Sequence, residues 1–169
     1  MKIAVQIQPV SGAPAAVAYT WDADTEILSA RLNPSDGGDG LSGSVGLEGS
    51  DGSWLVLDVA AGRIGGVEVA VWPELRELPR LDPPAAVEDA GVLLPAQATA
   101  ASGQLASLEM ATLLTAETDQ AQRNIHFRLG RPRRARTVRV ARDLLLDVDE
   151  CSHLSGLWLL NVPPCPGNT

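Results

Sequence analysis

The sequence predicts a mainly β protein: two tandem β-meander repeats related by a pseudo-two-fold axis, packed as one compact domain with at most short helices. Three observations lead there. The stretch Trp54-Leu-Val-Leu-Asp58 … Gly66-Val-Glu-Val-Ala-Val-Trp-Pro73 returns as Leu144-Leu-Leu-Asp147 … Gly156-Leu-Trp-Leu-Leu-Asn-Val-Pro163. Gly66 to Pro73 matches Gly156 to Pro163 without a gap, and one extra residue in the second copy brings Asp147 onto Asp58. A repeat of this kind fixes architecture before any residue is given a role. Short apolar runs also alternate with turns marked by Gly, Asp and Pro. Finally, aromatics are only 4% of a chain that is 45% hydrophobic, so Val, Leu, Ile and Ala must fill the core. That composition suits strands.

Residues 3–7 alternate Ile, Val and Ile with Ala and Gln, an opening strand that Pro9 ends. Ala15–Tyr19 leads to the Asp-rich turn Trp21–Thr25, where Asx side chains can bond their own backbone. Ile27–Leu32 follows as a strand, and residues 33–43 form a loop. Ser44–Glu48 and Trp54–Asp58 flank Gly49-Ser-Asp-Gly52, a hairpin signal. Gly62–Gly66 makes another turn, and Val67–Trp72 alternates as a strand with one face buried. Pro73–Leu78 reads as one or two helical turns with Leu75 and Leu78 on one face. Pro79, Pro83, Pro84 and Pro95 then mark a connector, in which Val92–Leu94 docks onto the sheet. In the second copy, Leu113–Asp119 overlays Ala16–Asp22 and Asn124–Leu129 overlays Ile27–Leu32, with Arg128 and Leu129 matching Arg31 and Leu32. Gln104–Gln122 also fits a helical spacing, but the repeat demands a strand near Leu113–Ala116. The boundaries are 1–78 for the first repeat, 79–104 for the connector and 105–169 for the second repeat.

The first copy resembles a small bacterial β-rich domain of unknown function. The resemblance is carried by Thr20-Trp-Asp22-Ala-Asp24-Thr-Glu26-Ile-Leu-Ser-Ala-Arg-Leu32 and by Leu57-Asp58-Val-Ala-Ala-Gly62-Arg-Ile-Gly-Gly66-Val-Glu-Val69. It spans about 55 residues of the first half. The chain departs from it around Ser29, where the family has a central Tyr, and Trp158 stands in the second copy where the first has Glu68. The resemblance implies a compact β module that pairs with another chain, and a tandem copy implies such a pair fused into one polypeptide.

The net charge of −8 argues against non-specific binding to nucleic acid or membrane surfaces, since like charges repel. Arg supplies nearly all the positive charge, Lys2 being the only lysine; together with abundant Ala, Gly, Pro and Asp this points to a GC-rich bacterial genome. No run reaches the roughly 20 apolar residues that span a bilayer, and Gln6 and Gln8 interrupt what would be a signal peptide's core. Cys151 and Cys165 make no disulfide framework. A soluble cytoplasmic protein is expected.

Several clusters carry chemical possibilities. Asp147, Asp149, Cys151 and His153 fall at every second position, so an extended segment would present all four to a metal. Residues 149–155 align with the turn Ala60–Gly65, however, and a turn scatters side chains, so no metal site and no cofactor are expected. His126, between Ile125 and Phe127, points away from both; without a nucleophile signature it reads as a solvated or structurally hydrogen-bonded histidine. Asp22, Asp24 and Glu26 sit on one bend and read as turn caps, not as an acid–base pair. Asp36-Gly-Gly-Asp-Gly40 lacks the ligand spacing of an EF-hand. The segment Arg131–Arg142 holds six arginines, Arg131, Arg133, Arg134, Arg136, Arg139 and Arg142, and taking these from the −8 total leaves −14 elsewhere. Such segregated charge either docks an acidic partner or pairs with the chain's own acidic body.

These features favour a non-enzymatic protein-interaction module, built as a fused dimer of a small β domain, with the six arginines facing a protein partner or a second copy. Trp21, Trp54, Trp72 and Trp158 would anchor an interface where exposed and fill the core where buried. Two other classes stay open. One is a small-molecule binder or hydrolase with a site between the two repeats. The other is a nucleic-acid-associated regulator using Arg131–Arg142, which net acidity and the lack of interleaved aromatics disfavour.

Overall fold

The computed structural model describes residues 2–32, 42–95 and 106–167. All regular structure among them is strand, in two sheets, with no helix. After β1 (Gln6–Gln8), the first repeat supplies the hairpin β2 (Val17–Asp22) and β3 (Ile27–Leu32), then the meander β4 (Gly43–Gly49), β5 (Trp54–Ala60) and β6 (Arg63–Val71). Between the halves lie β7 (Leu75–Leu78), β8 (Val87–Asp89) and β9 (Gly91–Leu93). The remainder supplies β10 (Ala106–Thr112), the hairpin β11 (Leu114–Asp119) and β12 (Ile125–Leu129), and the meander β13 (Ala135–Ala141), β14 (Leu144–Asp149) and β15 (Leu154–Leu159).

Pairing of β3 with β6 gives the first sheet the order β2-β3-β6-β5-β4, and pairing of β12 with β15 gives the second the order β11-β12-β15-β14-β13. Register agrees as well. Gly66 faces Arg31 on one side and Asp58 on the other, and Gly156 faces Arg128 and Asp147 in the same way. In each meander the ladder slips directly after the aspartate, between Asp58 and Val59 and between Asp147 and Val148. Such a bulge bends the strand and raises its twist.

The other strands cross between halves. β10 lies parallel to β4 at the edge of the first sheet. β7 lies parallel to β11, and β8 parallel to β13, at opposite edges of the second. β1 and β9 pair antiparallel with each other. The inward faces of the two sheets share one apolar cluster, with Leu28, Leu55, Leu57 and Val69 from the first and Phe127, Leu144, Leu146, Leu157 and Leu159 from the second. Alternation explains the sorting, because successive strand residues point to opposite faces.

Three expectations are corrected. Pro73–Leu78 is not helical: five residues between Pro73 and Pro79 cannot repay a helix nucleus, while the edge of β11 offers a ladder that β7 fills. The segment after residue 78 is not a bare connector, since it contains β8 and β9. Its residues 79–86 cross the outer face of the second sheet, where Leu81 is buried with Leu145, Trp158 and Leu160. The turn expected over Gly62–Gly66 shrinks to Ala61–Gly62, both at positive φ (50° and 79°). That is the backbone a two-residue hairpin needs to match strand twist. Gly65 supplies the bulge. The stretch that also fitted a helix is strand from Ala106 to Asp119, broken only at Leu113. The Asp36–Gly40 loop lies outside the described residues.

Tyr19 ties the first sheet to the end of the second by donating its hydroxyl to the Leu160 carbonyl at 2.8 Å. Burial, with the Asp143 charge adding to it, pushes the phenol well above its ordinary value. A folded value above the unfolded one means that this stabilisation is complete below the unfolded pKa of about 10 and declines as pH rises past it. Tyr19→Phe should therefore flatten the alkaline limb of a stability–pH profile measured by urea unfolding. Phe127→Ala, which empties a fully buried position, should cost about 3–5 kcal/mol. Circular dichroism and tryptophan fluorescence should still report one coincident transition, because both sheets share the core.

Candidate functional site

On β12 the inward residues Ile125, Phe127 and Leu129 leave His126 and Arg128 on the outer face. His126 is nonetheless buried, stacked at 3.9 Å on Trp158 of the neighbouring β15. Its Nε2 meets Asp147 Oδ2 at 2.7 Å, and Thr137 donates to Asp147 Oδ1 at 2.6 Å. β15 runs between the histidine and the aspartate, and their contact is possible because Gly156 has no side chain. A Cβ there would stand 2.8 Å from Asp147 Oδ2 and 2.7 Å from the Phe127 carbonyl. In the first sheet a looser version is made from a neighbouring position: Arg31, the counterpart of Arg128 and not of His126, reaches over Gly66 to Asp58 at 3.0 Å, with both side chains substantially exposed. Arg128 turns instead to Glu117 at 3.2 Å.

Thr137, Asp147 and His126 look at first like a catalytic trio, but the order of contacts is wrong for one. The hydroxyl bonds the carboxylate and not the imidazole, so no base activates it. His126 Nδ1 and Trp158 Nε1 are buried with no hydrogen-bond partner, sealed from solvent in a face that also carries buried Leu81. The arrangement is a buried polar brace, matching the structurally hydrogen-bonded histidine read from sequence.

The four residues considered for a metal do not converge. Asp147 belongs to the brace, while Asp149 caps the turn after β14, accepting from the backbone N–H of Cys151 and of His153, each at 2.9 Å. Arg133 Nε also donates to it at 2.5 Å. Cys151 is exposed. Among the described residues no three His, Cys, Asp or Glu side chains gather as a metal-holding group. Burial pushes the Asp149 carboxyl up, but the donors from His153, Arg133 and Cys151 outweigh it and hold it below the ordinary value. Asp22 caps its own bend, accepting from Asp24 N at 3.0 Å and Thr25 N at 3.3 Å, and those bonds lower its pKa too.

The arginine segment divides. Arg133 is anchored by Asp149 and by the carbonyls of Leu129 and Leu154. Arg136 pairs with Glu88, and Arg139 with Asp89 at 3.4 Å, so β8 supplies the acids that hold the middle of β13. Arg131, Arg134 and Arg142 are exposed.

Two clefts border these elements. One, of about 430 Å³, lies between the segment Pro9–Ala15, the β5–β6 turn and β8–β9, with Arg63, Asp89 and Arg139 on its walls. The other, of about 370 Å³, has an apolar floor of Ile3, Leu47, Met110, Leu129 and Leu154 beneath Lys2, Arg131 and Arg133. Sequence reasoning missed Lys2 as a neighbour of the arginine segment, because only tertiary folding brings the N-terminal strand to His153 and Leu154. It also missed Thr137 as a partner of Asp147, although the period-two pattern of β13 held the signal. Of the tryptophans, Trp158 is buried; Trp21 and Trp72 stack on each other at 5.7 Å, and Trp54 covers Gly46.

No protein-family model and no curated protein matches this chain.

Asp147→Ala strips two buried donors of their acceptor and should cost about 2–4 kcal/mol. Asp58→Ala, at the exposed counterpart, should cost no more than about 1 kcal/mol; parallel urea titrations compare them. Asp149 works in the acid range. Its lowered folded value gives a contribution present above the unfolded carboxyl pKa and lost as pH falls through the folded one. Asp149→Asn should therefore be less stable at neutral pH and lose less on acidification below about pH 4.

Proposed function

We propose that this chain is a non-enzymatic protein-interaction module, a small bacterial β unit duplicated and fused into one polypeptide with its copies related by a pseudo-two-fold axis. The recurring strand order supports the duplication, as do the Asp–bulge–Gly register and the placement of strands in the opposite sheet. β7, which follows the first meander, extends the second sheet, and β10, which precedes the second hairpin, extends the first, so the two sheets are completed by strands from either side.

The observation that carries the interaction reading is the cationic rim of Lys2, Arg131 and Arg133 over an apolar floor, on a chain of net charge −8. Such a groove suits a partner segment that inserts one apolar side chain flanked by carboxylates: the floor supplies burial and the rim supplies complementarity. Of the six arginines, Arg131 and Arg133 form this site, and Arg136 and Arg139 serve the fold. A second reading, a small-molecule site between the repeats, is favoured by the 430 Å³ cleft that strands of both halves border.

Native mass spectrometry of protein purified gently from its own host tests both. The module predicts an accompanying polypeptide, and Lys2→Glu with Arg131→Glu should weaken its retention about tenfold or more at low salt with an unchanged melting temperature. A small molecule retained instead, and lost on Arg63→Ala, would transfer the function to the cleft. A bare 17.7 kDa chain at low salt and high protein concentration would count against the groove.

A further inference from the structure

We propose that the outer edge of β2 is a strand-addition site, which takes an extended, cation-bearing segment of another protein in parallel register. This shares the view of the chain as an interaction module but uses a surface distinct from the groove.

The argument starts from two hairpin strands that end their sheets in the same way. β11 pairs with β12 on one side, and its other side is filled by β7, with Ala116, Glu117, Thr118 and Asp119 opposite Leu75, Arg76, Glu77 and Leu78. β2 pairs with β3 on one side, and among the described residues no strand pairs with its other side. Thr20 faces Ser29 as Glu117 faces His126, so Tyr19–Asp22 occupies the places of Ala116–Asp119. The ungapped correspondence that places Pro163 on Pro73 continues with Pro164-Cys-Pro-Gly167 where the first copy runs into β7. This segment passes instead along the inward face of β2, where Trp21 Nε1 donates to the Pro163 carbonyl at 2.8 Å. It forms no ladder there, because Pro164 and Pro166 carry no N–H.

The edge is also weakly protected. β2 contains no proline, its only charge is the terminal Asp22, and it meets β3 without a bulge. Unpaired N–H and C=O groups on such a strand are a template for another chain. Parallel entry follows from the precedent of β7, and it separates a foreign segment from self-pairing, since β2 against β2 across a two-fold axis would run antiparallel. Charge selects the occupant. In the second sheet Arg76 of β7 reaches Glu117. In the first, Thr20 stands in the place of Glu117, and the acid on that face of β2 is the exposed Asp22 two residues on, so a basic side chain beside it is drawn in. A second copy offers no cation here, since Val17–Asp22 contains none.

The probe is the chain's own edge-filling segment as a synthetic peptide, Trp-Pro-Glu-Leu-Arg-Glu-Leu-Pro (residues 72–79), added to the intact protein. Amide hydrogen exchange should slow at 17–22 by about fivefold or more at roughly millimolar peptide. The same peptide N-methylated at the Arg and the following Glu should have no effect. Lys2→Glu and Arg131→Glu should bind the peptide like wild type, so failure of the groove and failure of the edge are read separately. The inference is overturned by unchanged exchange at 17–22, or by changes confined to 114–119, where the peptide would be exchanging with β7. It is equally overturned if 17–22 is already slow in the free protein together with a dimeric mass.

Discussion

In each meander an aspartate on the middle strand reaches across a glycine on the next strand to a basic side chain on the strand beyond. Three strands are thereby held in one register, because a one-residue slip would carry the carboxylate to the opposite face. The bulge after the aspartate and the bare glycine are both requirements of that reach. In the second sheet the contact is buried and shared with Thr137, which makes it a fixed point for Trp158 and for the segment that crosses above it. In the first it stays at the surface, screened by solvent and correspondingly weaker. The same geometry thus serves as a core element in one half and as a surface pair in the other.

Strands cross between the two sheets because a single sheet of this chain can bury little alone. Five short strands with few aromatics give one apolar face, and a single such sheet is poorly stable in water. Placing two faces together makes a shared core, and β7, β8 and β10 then reach across to finish the partner sheet's edges. Acids on β8 neutralise the arginines of β13, so a segment that looks like a polycationic arm is partly an internal seam. The seam leaves Arg131 exposed, with Lys2 brought beside it by the N-terminal segment, and among the described residues one edge of β2 has no strand beside it.

The polar cluster around His126 shows why contact order matters more than composition. Histidine, aspartate and a hydroxyl residue within hydrogen-bond range would serve acyl transfer if the imidazole stood between the other two. Here the carboxylate stands between them, and the result is mechanical.

Much of the architecture was legible in the chain. The alternation of apolar residues and the Asp and Gly signals predicted a mainly β protein, and the structure is all strand in two sheets, with Asp58 and Asp147 each opposite a glycine of the next strand. They did so because strand period, turn chemistry and side-chain-free positions are local physical demands. Pro73–Leu78 is strand and not helix because six residues have no decisive period of their own; the edge of β11, distant in sequence, decided their state. The same holds for β8 and β9 within a stretch of prolines and alanines. The sequence by itself determined which residues face inward and where the chain turns. Tertiary structure alone decided which arginines are neutralised, which histidine is sealed, that Lys2 joins Arg131, and that among the described residues β2 has a strand on one side only, because each depends on pairing between strands far apart in the chain.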